Sequence, residues 1–328
     1  MGRRLHIATL TILALAAAAP WSSSRAQDYP AKTVTTVVPF AAGGAGDILS
    51  RILSRHLEQR LGKPFVVENK PGGGGVTGVL ATTKSMADGH TLLMSPSGPI
   101  AVNPALMKDL PYDPVADLTP LALVAGTPFM LVVNPALPVH SLADLIKYAK
   151  EKGGPLPFAM VGPGTPHHLF TEMLRGMTGI EVTYVPYRGS QPAITDVVAG
   201  HVPVMFCDLG PAGPQIAAGK VRALGSSTMT RIAAFPDVPS LSEAGARGFD
   251  AASWQMLVAP GKTPRPVIDK LHAELRIILA LPDVKEAIAK NGMVPMPDRS
   301  VEGLQDFVKA EIARWGKVVR DAGIAGTQ

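Results

Sequence analysis

The sequence predicts an α/β protein built from two lobes of similar design. Short β-branched runs alternate with stretches of helical spacing along the chain, and Gly or Pro separates them. In each half, a glycine-rich loop stands between a predicted strand and a predicted helix. Alternation of this kind indicates α/β architecture with mainly parallel sheets. Because ligands of open α/β sheets bind beyond the carboxyl ends of the strands, we expect a ligand cleft between the lobes.

The first half supplies three predicted strands and two predicted helices. The strands are TVTTVVPF, FVVEN and TLLMSP. Apolar residues recur at helical intervals from Ile48 to Leu61, and Gly62 with Pro64 ends that helix. The stretch VTGVLATTKSM predicts the second helix.

The second half repeats this order. Its predicted strands are FAMVG, VTYVPY and VPVMFCD, and its predicted helices are TPHHLFTEMLRGMTG, PAITDVVAG and the region of AGPQIAAG. Thr165 is expected to be the N-cap of the first of these helices, with Pro166 at the first helical position. A long amphipathic helix is predicted from Leu304 to Val319.

Residues 1–26 predict a secretory signal peptide. Arg3 and Arg4 precede a short apolar run, ILALAAAA, and Ser24 and Ala26 stand at the −3 and −1 positions of a cleavage site. The run is too short to span a bilayer, so we expect export and cleavage after Ala26. The mature protein is therefore expected to be soluble and exported.

Composition argues against several functional classes. The formal net charge is +5, and removal of residues 1–26, which contain three arginines and no acid, leaves +2. No basic run is interleaved with aromatic residues, so no nucleic-acid partner is expected. The single cysteine, Cys207, allows no internal disulfide and no thiolate metal site, and neither a metal nor another cofactor is expected.

The sequence disfavours two other chemistries, dinucleotide binding and hydrolysis. GGGGVTG contains the G-x-G-x-x-G spacing at Gly73, Gly75 and Gly78, but KPG separates it from the preceding strand and the expected acidic residue is missing. A hydrolase could use Thr165, His168 and Asp208, but no G-x-S-x-G turn is present. Catalysis is therefore not expected.

Anion binding is the favoured chemistry. VPFAAGGAGD and GPGTPH both follow a strand and open a helix, where free N–H groups and the positive end of the helix dipole favour a negative ligand. Glycine also lets the backbone approach a ligand closely. The alternative, that each loop is an ordinary tight turn, remains open for either loop alone.

The chain resembles the Bug-type periplasmic receptors of tripartite tricarboxylate transporters. The resemblance runs over the whole mature chain and is carried by a set of segments in a characteristic order: VPFAAGGAGD, ENKPGGGGVTG, DGHTLL, NPALM, GPGTPHHL, VPYRGSQPAITDVVAGHVPVMF, GKVRALGSS, FPDVPSLSEAG, Trp254 and APGKTPRPVIDKL.

The resemblance implies a type II periplasmic-binding-protein-like fold with two α/β lobes and a ligand cleft between them. The first lobe would comprise residues 27–125 and 254–328, and the second residues 126–253. The ligand would lie between the two glycine loops. The implied ligand-binding residues are Phe40, Ala41, Gly43, Gly44, Asp47, Ser97, Gly164, Thr165, His168, Tyr187, Arg188, Gly189 and Asp208, with Asn103 a further candidate.

Several of these residues have a structural alternative. Asp47 could cap its helix instead of contacting a ligand. Arg188 could pair with an acid at the surface. Asp208 could satisfy loop amides.

The expected function is a monomeric solute receptor that binds a small organic acid for uptake by integral membrane subunits. A sensor for a membrane signalling partner and a secreted hydrolase are the alternatives.

Overall fold

The computed structural model describes residues 29–327, which form eleven strands and ten helices. The predicted signal peptide lies outside the described residues. The strands are β1 (Val34–Val38), β2 (Phe65–Asn69), β3 (Thr91–Pro96), β4 (Leu118–Thr127), β5 (Phe129–Val133), β6 (Leu156–Met160), β7 (Val182–Pro186), β8 (Val204–Asp208), β9 (Arg222–Ser226), β10 (Ser253–Pro260) and β11 (Val294–Pro295).

The helices cover both sheets. They are α1 (Ala45–Leu61), α2 (Val76–Thr83), α3 (Asn103–Leu106), α4 (Leu142–Glu151), α5 (Pro166–Thr178), α6 (Ser190–Ala199), α7 (Leu209–Ala217), α8 (Arg265–Ala280), α9 (Pro282–Lys290) and α10 (Val301–Asp321). A short 3-10 turn, Gly73–Gly75, precedes α2, and a π-helical turn, Gly98–Val102, precedes α3.

The strands form two mixed sheets. The first sheet has the order β11-β4-β10-β3-β1-β2, and the second has the order β7-β6-β8-β5-β9. Four pairings are parallel and five are antiparallel. The prediction of mainly parallel sheets was therefore wrong. Strands that follow one another through a βα unit, such as β1 and β2, are parallel. The strands that connect the two sheets, β4, β5 and β10, are antiparallel to their neighbours.

The chain passes between the sheets twice. Strand β4 belongs to the first sheet, and β5 begins the second sheet after Pro128 alone. The chain returns at Ser253, where β10 inserts between β3 and β4. The predicted lobe boundaries stay a prediction, with the first lobe at residues 27–125 and 254–328 and the second at residues 126–253. The two points at which the chain passes between the sheets lie close to those boundaries.

Local sequence signals place most element ends. Strands β2 and β3 coincide with FVVEN and TLLMSP, and Thr165 is the N-cap residue of α5 with Pro166 at its start. Gly62 ends α1 in the left-handed region, with φ 71°, where glycine pays no Cβ penalty. Helices α3, α4, α8 and α9 were not predicted.

One aromatic cluster ties helices of the two sheets together. The ring of Phe170 on α5 stacks on Trp315 of α10 with centroids 5.7 Å apart, and it meets Phe129 and Phe206 edge-on at 5.0 and 6.0 Å. All four side chains are buried. Because α10 packs on the first sheet and α5 on the second, this cluster makes the core continuous across the molecule.

Within residues 29–327, no helix combines the length and apolar character needed to cross a membrane.

We expect Phe170→Ala to lower the free energy of unfolding by about 3–5 kcal/mol, because it removes a buried ring from a close-packed cluster. Met177→Ala on the same helix is the matched control, since Met177 is 43 % exposed and should change stability by less than about 1 kcal/mol. Urea unfolding of both variants measures the difference. Equal losses would contradict a core that depends on Phe170.

Candidate functional site

The first glycine loop, residues 39–44, joins β1 to α1 and presents the start of that helix. Gly44 is the N-cap residue and provides no side chain to cap the helix. The N–H groups of the first turn, Ala45 to Asp47, therefore have no intrahelical acceptor. Together with the helix dipole they make the start of α1 attractive to an anion.

Asp47 holds this loop in shape. Its buried carboxylate accepts the Gly43 N–H at 3.0 Å and the Arg51 guanidinium at 2.9 and 3.1 Å. The Arg51 hydrogen bonds, and to a lesser extent that of Gly43, keep the pKa of Asp47 below its ordinary value despite burial. Asp47 is thus an ionised brace of the loop, and its bond to Gly43 occupies an N–H that the sequence had assigned to the ligand.

A cavity of about 240 Å³ lies beside this loop. Its walls are mostly apolar and are formed by Val38, Phe40, Ala41, Gly44, Ala45, Gly46, Asp47, Pro96 and Gln255. The volume is below the range typical of drug-sized ligands, so the cavity suits a small molecule. Four predicted residues, Phe40, Ala41, Gly44 and Asp47, line it.

Phe40 is held at the mouth of this cavity by the glycine-rich turn. Its ring is 41 % exposed, and its edge lies 3.4 Å from where a Cβ on Gly75 would stand. A Cβ on Gly78 would lie 2.7 Å from the Cα of Pro39. The glycines of GGGGVTG therefore let the start of α2 approach the first loop and the Pro99 side chain, which would lie 2.5 Å from a Cβ on Gly75.

The second glycine loop, residues 161–165, is fixed by its own hydrogen bonds. The Gly164 N–H donates to His168 Nδ1 at 3.1 Å, and the Thr165 hydroxyl donates to the Gly162 carbonyl oxygen at 2.8 Å. Burial lowers the pKa of His168, which favours the neutral ring, and because Nδ1 accepts the Gly164 N–H, the proton of that neutral ring belongs on Nε2. His168 Nδ1 and the Thr165 hydroxyl thus form their hydrogen bonds within the loop.

Helix α3 contacts both the glycine-rich turn before α2 and the second glycine loop. Asn103 donates from Nδ2 to the Gly74 carbonyl oxygen at 3.3 Å, and Leu106, one turn later, contacts Gly164. Gly164 has φ 71°, and a Cβ there would collide with the Leu106 side chain. Ser97 lies deeper, buried, with its hydroxyl 3.1 Å from that of Ser253.

A polar cluster lies at the carboxyl end of β8. His167 Nε2 is 3.0 Å from the Ser190 hydroxyl and 3.5 Å from Asp208 Oδ1. Burial of Asp208 raises its pKa, but His167 and Ser190 lower it more, so the net pKa is below the ordinary value. Serine and aspartate thus share one ring nitrogen, whereas a Ser-His-Asp triad places them on opposite nitrogens. The cluster therefore does not have the arrangement of a Ser-His-Asp triad.

The remaining predicted residues lie around this cluster. The Tyr187 hydroxyl donates to Asp196 at 2.7 Å, and burial with this bond raises the pKa of Tyr187 to about 12. Arg188 is exposed, and Gly189 is the N-cap residue of α6. None of the predicted second-lobe residues lines the 240 Å³ cavity. Their contact with a ligand stays a prediction.

Sequence reasoning missed Gln255. This residue lies in the buried strand β10, lines the cavity, and is 6 % exposed. Its Oε1 makes no hydrogen bond within residues 29–327. The available signal was a lone amide inside the apolar run WQMLVAP.

A larger cavity of about 650 Å³ lies elsewhere, against β4, α8 and α9. Its lining includes Arg276, Lys285 and Arg299, but no residue of either glycine loop. No buried polar side-chain atom without a hydrogen bond lines it within the described part of the chain. No group of three or more His, Cys, Asp or Glu residues that could hold a metal occurs in residues 29–327. The smaller cavity is the better candidate site.

A family model described as tripartite tricarboxylate transporter family receptor matches residues 49–324. The chain belongs to this family. This receptor is 38 % identical over 327 residues to protein BugT of Bordetella pertussis, with 98 % of each chain covered. The predicted resemblance to Bug-type receptors is therefore confirmed.

Solved structures agree with the receptor fold. A Rhodopseudomonas palustris protein solved with adipate is 36 % identical with a TM-score of 0.79, covering 90 % of this chain and 99 % of its own. MatC from the same organism, solved with bound malate, is 33 % identical with a TM-score of 0.77, covering 89 % and 100 %. The predicted two-lobed α/β periplasmic-binding fold is confirmed.

We expect Gly164→Ala to destabilise the receptor by at least about 1 kcal/mol, because alanine pays for a left-handed φ and its Cβ meets Leu106. Gly176→Ala is the matched control: a Cβ there meets nothing, and alanine in a helix interior should stabilise by about 0.5–1 kcal/mol. Thermal unfolding of the two variants measures whether each is less or more stable than the parent protein. A stabilising Gly164→Ala would contradict the close contact.

We expect the stabilisation by Asp47 to depend on pH. Its folded-state pKa is depressed, so the stabilisation is present above the unfolded-state pKa of about 3.9 and is lost as the pH falls through the folded-state pKa. Asp47→Asn should be less stable than the parent near neutral pH, and the gap should shrink in acid.

Urea midpoints measured from about pH 7 to about pH 3 test this expectation. Asp306→Asn, at an exposed position of α10, is the control and should leave a small gap at every pH. A gap for Asp47→Asn that did not change with pH would contradict an ionised brace.

Proposed function

We propose that this protein is a periplasmic solute receptor that captures a small organic carboxylate for uptake by a tripartite tricarboxylate-type transporter. The observation that carries the proposal is the 240 Å³ cavity at the start of α1. Its walls are mostly apolar, and the first-turn N–H groups of that helix have no intrahelical acceptor.

A carboxylate fits this environment better than the other ligand classes considered. Its two oxygens accept several N–H groups at once, and its hydrocarbon body can pack on Phe40 and Pro96. The cavity has no free acid to bind a cation, because Asp47 is paired with Arg51. The two solved relatives with adipate and malate contain dicarboxylates, which supports the same chemistry here.

Closure of the second glycine loop over the first would complete the site. Water would then be excluded, and each fixed N–H dipole would act more strongly on the ligand charge. The second-lobe candidates, Thr165, Arg188, Gly189 and Asp208, would supply the facing wall. The closed form is the species that would dock on membrane subunits, and the receptor would do so as a monomer without a cofactor and without breaking a bond.

A thermal-shift screen of the mature protein tests this proposal, using mono-, di- and tricarboxylates with sugars, nucleotides and neutral amides as controls. A ligand at one hundred times its Kd should add about 2.7 kcal/mol of stability. We expect shifts with carboxylates only. A shift confined to nucleotides or sugars, or none with carboxylates after unfolding and refolding to remove bound ligand, would refute the proposal.

Phe40→Ala localises the site. Because Phe40 is partly exposed and lines the cavity, its truncation should weaken carboxylate binding about tenfold with little loss of stability. Met229→Ala, at an equally exposed position outside the cavity, should leave binding unchanged. Calorimetric Kd values for the two variants provide the comparison.

A further inference from the structure

The side-chain oxygen of Gln255 is buried and has no hydrogen-bond donor among the described residues. All eight residues of β10 are buried, and Gln255 is the one with a side-chain amide. Successive side chains of a strand point to opposite faces, so Gln255 shares the face of Leu257 and Ala259, which belong to the core cluster that also contains residues of α1 and α8. Its Oε1 lies 3.4 Å from where a Cβ on Gly46 would stand. The amide therefore sits against the first turn of α1.

Strand β4 is bulged opposite Gln255. Gln255 pairs with Ala125 and Met256 with Leu123, so Val124 is the extra residue of the bulge, while β10 keeps a regular register with β3. A buried amide oxygen without a hydrogen bond costs about 1–3 kcal/mol, so a ligand that supplied the missing donor would recover that cost.

We propose that Gln255 makes the receptor selective for 2-hydroxycarboxylates. This inference rests on the proposed function. With the ligand carboxylate on the N–H groups of Ala45 to Asp47, a hydroxyl on the next carbon would donate to Gln255 Oε1. A 2-ammonium group could reach the same oxygen, but it would bring a positive charge into a cavity whose one acid, Asp47, is already paired with Arg51.

Calorimetric Kd values for matched acids test the inference on the mature wild-type protein. Each set differs at carbon 2 alone: malate, succinate and aspartate; 2-hydroxyadipate and adipate; lactate and propionate; mandelate and phenylacetate. In every set that binds, we expect the hydroxy acid to bind about tenfold more tightly than the unsubstituted acid. The amino acid should bind no better than the unsubstituted one.

Substitutions of Gln255 test whether its side chain causes the preference for the hydroxy acid. Gln255→Met keeps the length of the side chain and removes the amide, so the ratio of the two Kd values should fall to about one, while the unsubstituted acid keeps its affinity within about threefold. Gln255→Asn shortens the side chain by one carbon and moves the amide away from the ligand, so it should also lower the ratio of the two Kd values. Gln305→Met, on the exposed face of α10, is the matched control and should keep the wild-type ratio.

The outcomes separate the two proposals. Carboxylate binding without a hydroxyl preference, a preference for the amino acid, or a ratio that survives in Gln255→Met would overturn the role of Gln255 and leave the receptor function standing. Failure of every carboxylate to bind would overturn the proposed function, and this inference with it.

Discussion

The first turn of α1 sets the constraint on which the site depends. A helix that begins without a capping side chain leaves N–H groups that must find an acceptor in water or in a ligand. The neighbouring residues hold this turn in position and leave its N–H groups without a protein acceptor among the described residues. Asp47 and Arg51 hold the loop, and glycines at 75 and 78 allow α2 and Phe40 to close in from the side. These contacts fix the shape of the loop without a ligand, and a preformed loop would reduce the ordering cost of binding.

The second glycine loop is organised by a different device. It uses a histidine acceptor, His168 Nδ1, where the first loop uses a carboxylate. Both side chains stand four residues after the glycine whose N–H they accept, Gly43 and Gly164. The two loops thus reach a similar shape from unlike residues. A neutral ring suits the second loop, because burial there disfavours a charge.

The fold could be predicted from local signals to a large extent. Glycine and proline mark the ends of α1 and the start of α5, and strands β2 and β3 have the predicted bounds. Strand direction could not be predicted this way. Whether β4 and β10 run parallel or antiparallel to their neighbours depends on where the chain leaves and re-enters a sheet, and no short pattern records that.

The site was predicted less completely than the fold. Loop composition located Phe40, Ala41, Gly44 and Asp47 at the cavity, because glycine-rich turns before helices have a recognisable spacing. It could not show that Asp47 would take the Gly43 N–H, since that depends on loop shape. Gln255 escaped because it is distant in sequence, and only the sheet order brings β10 beside β3 and α1.

The order of the strands also bears on how the chain folds. All five strands of the second sheet lie between residues 129 and 226, so that sheet can be completed by one continuous segment. The first sheet cannot, because β10 fills the gap between β3 and β4 and is made more than a hundred residues after them. In a chain that emerges from its N-terminus, all strands of the second sheet are therefore available before the first sheet has β10. The first sheet, with the cavity that Gln255 lines, lacks that strand until the C-terminal quarter of the chain arrives.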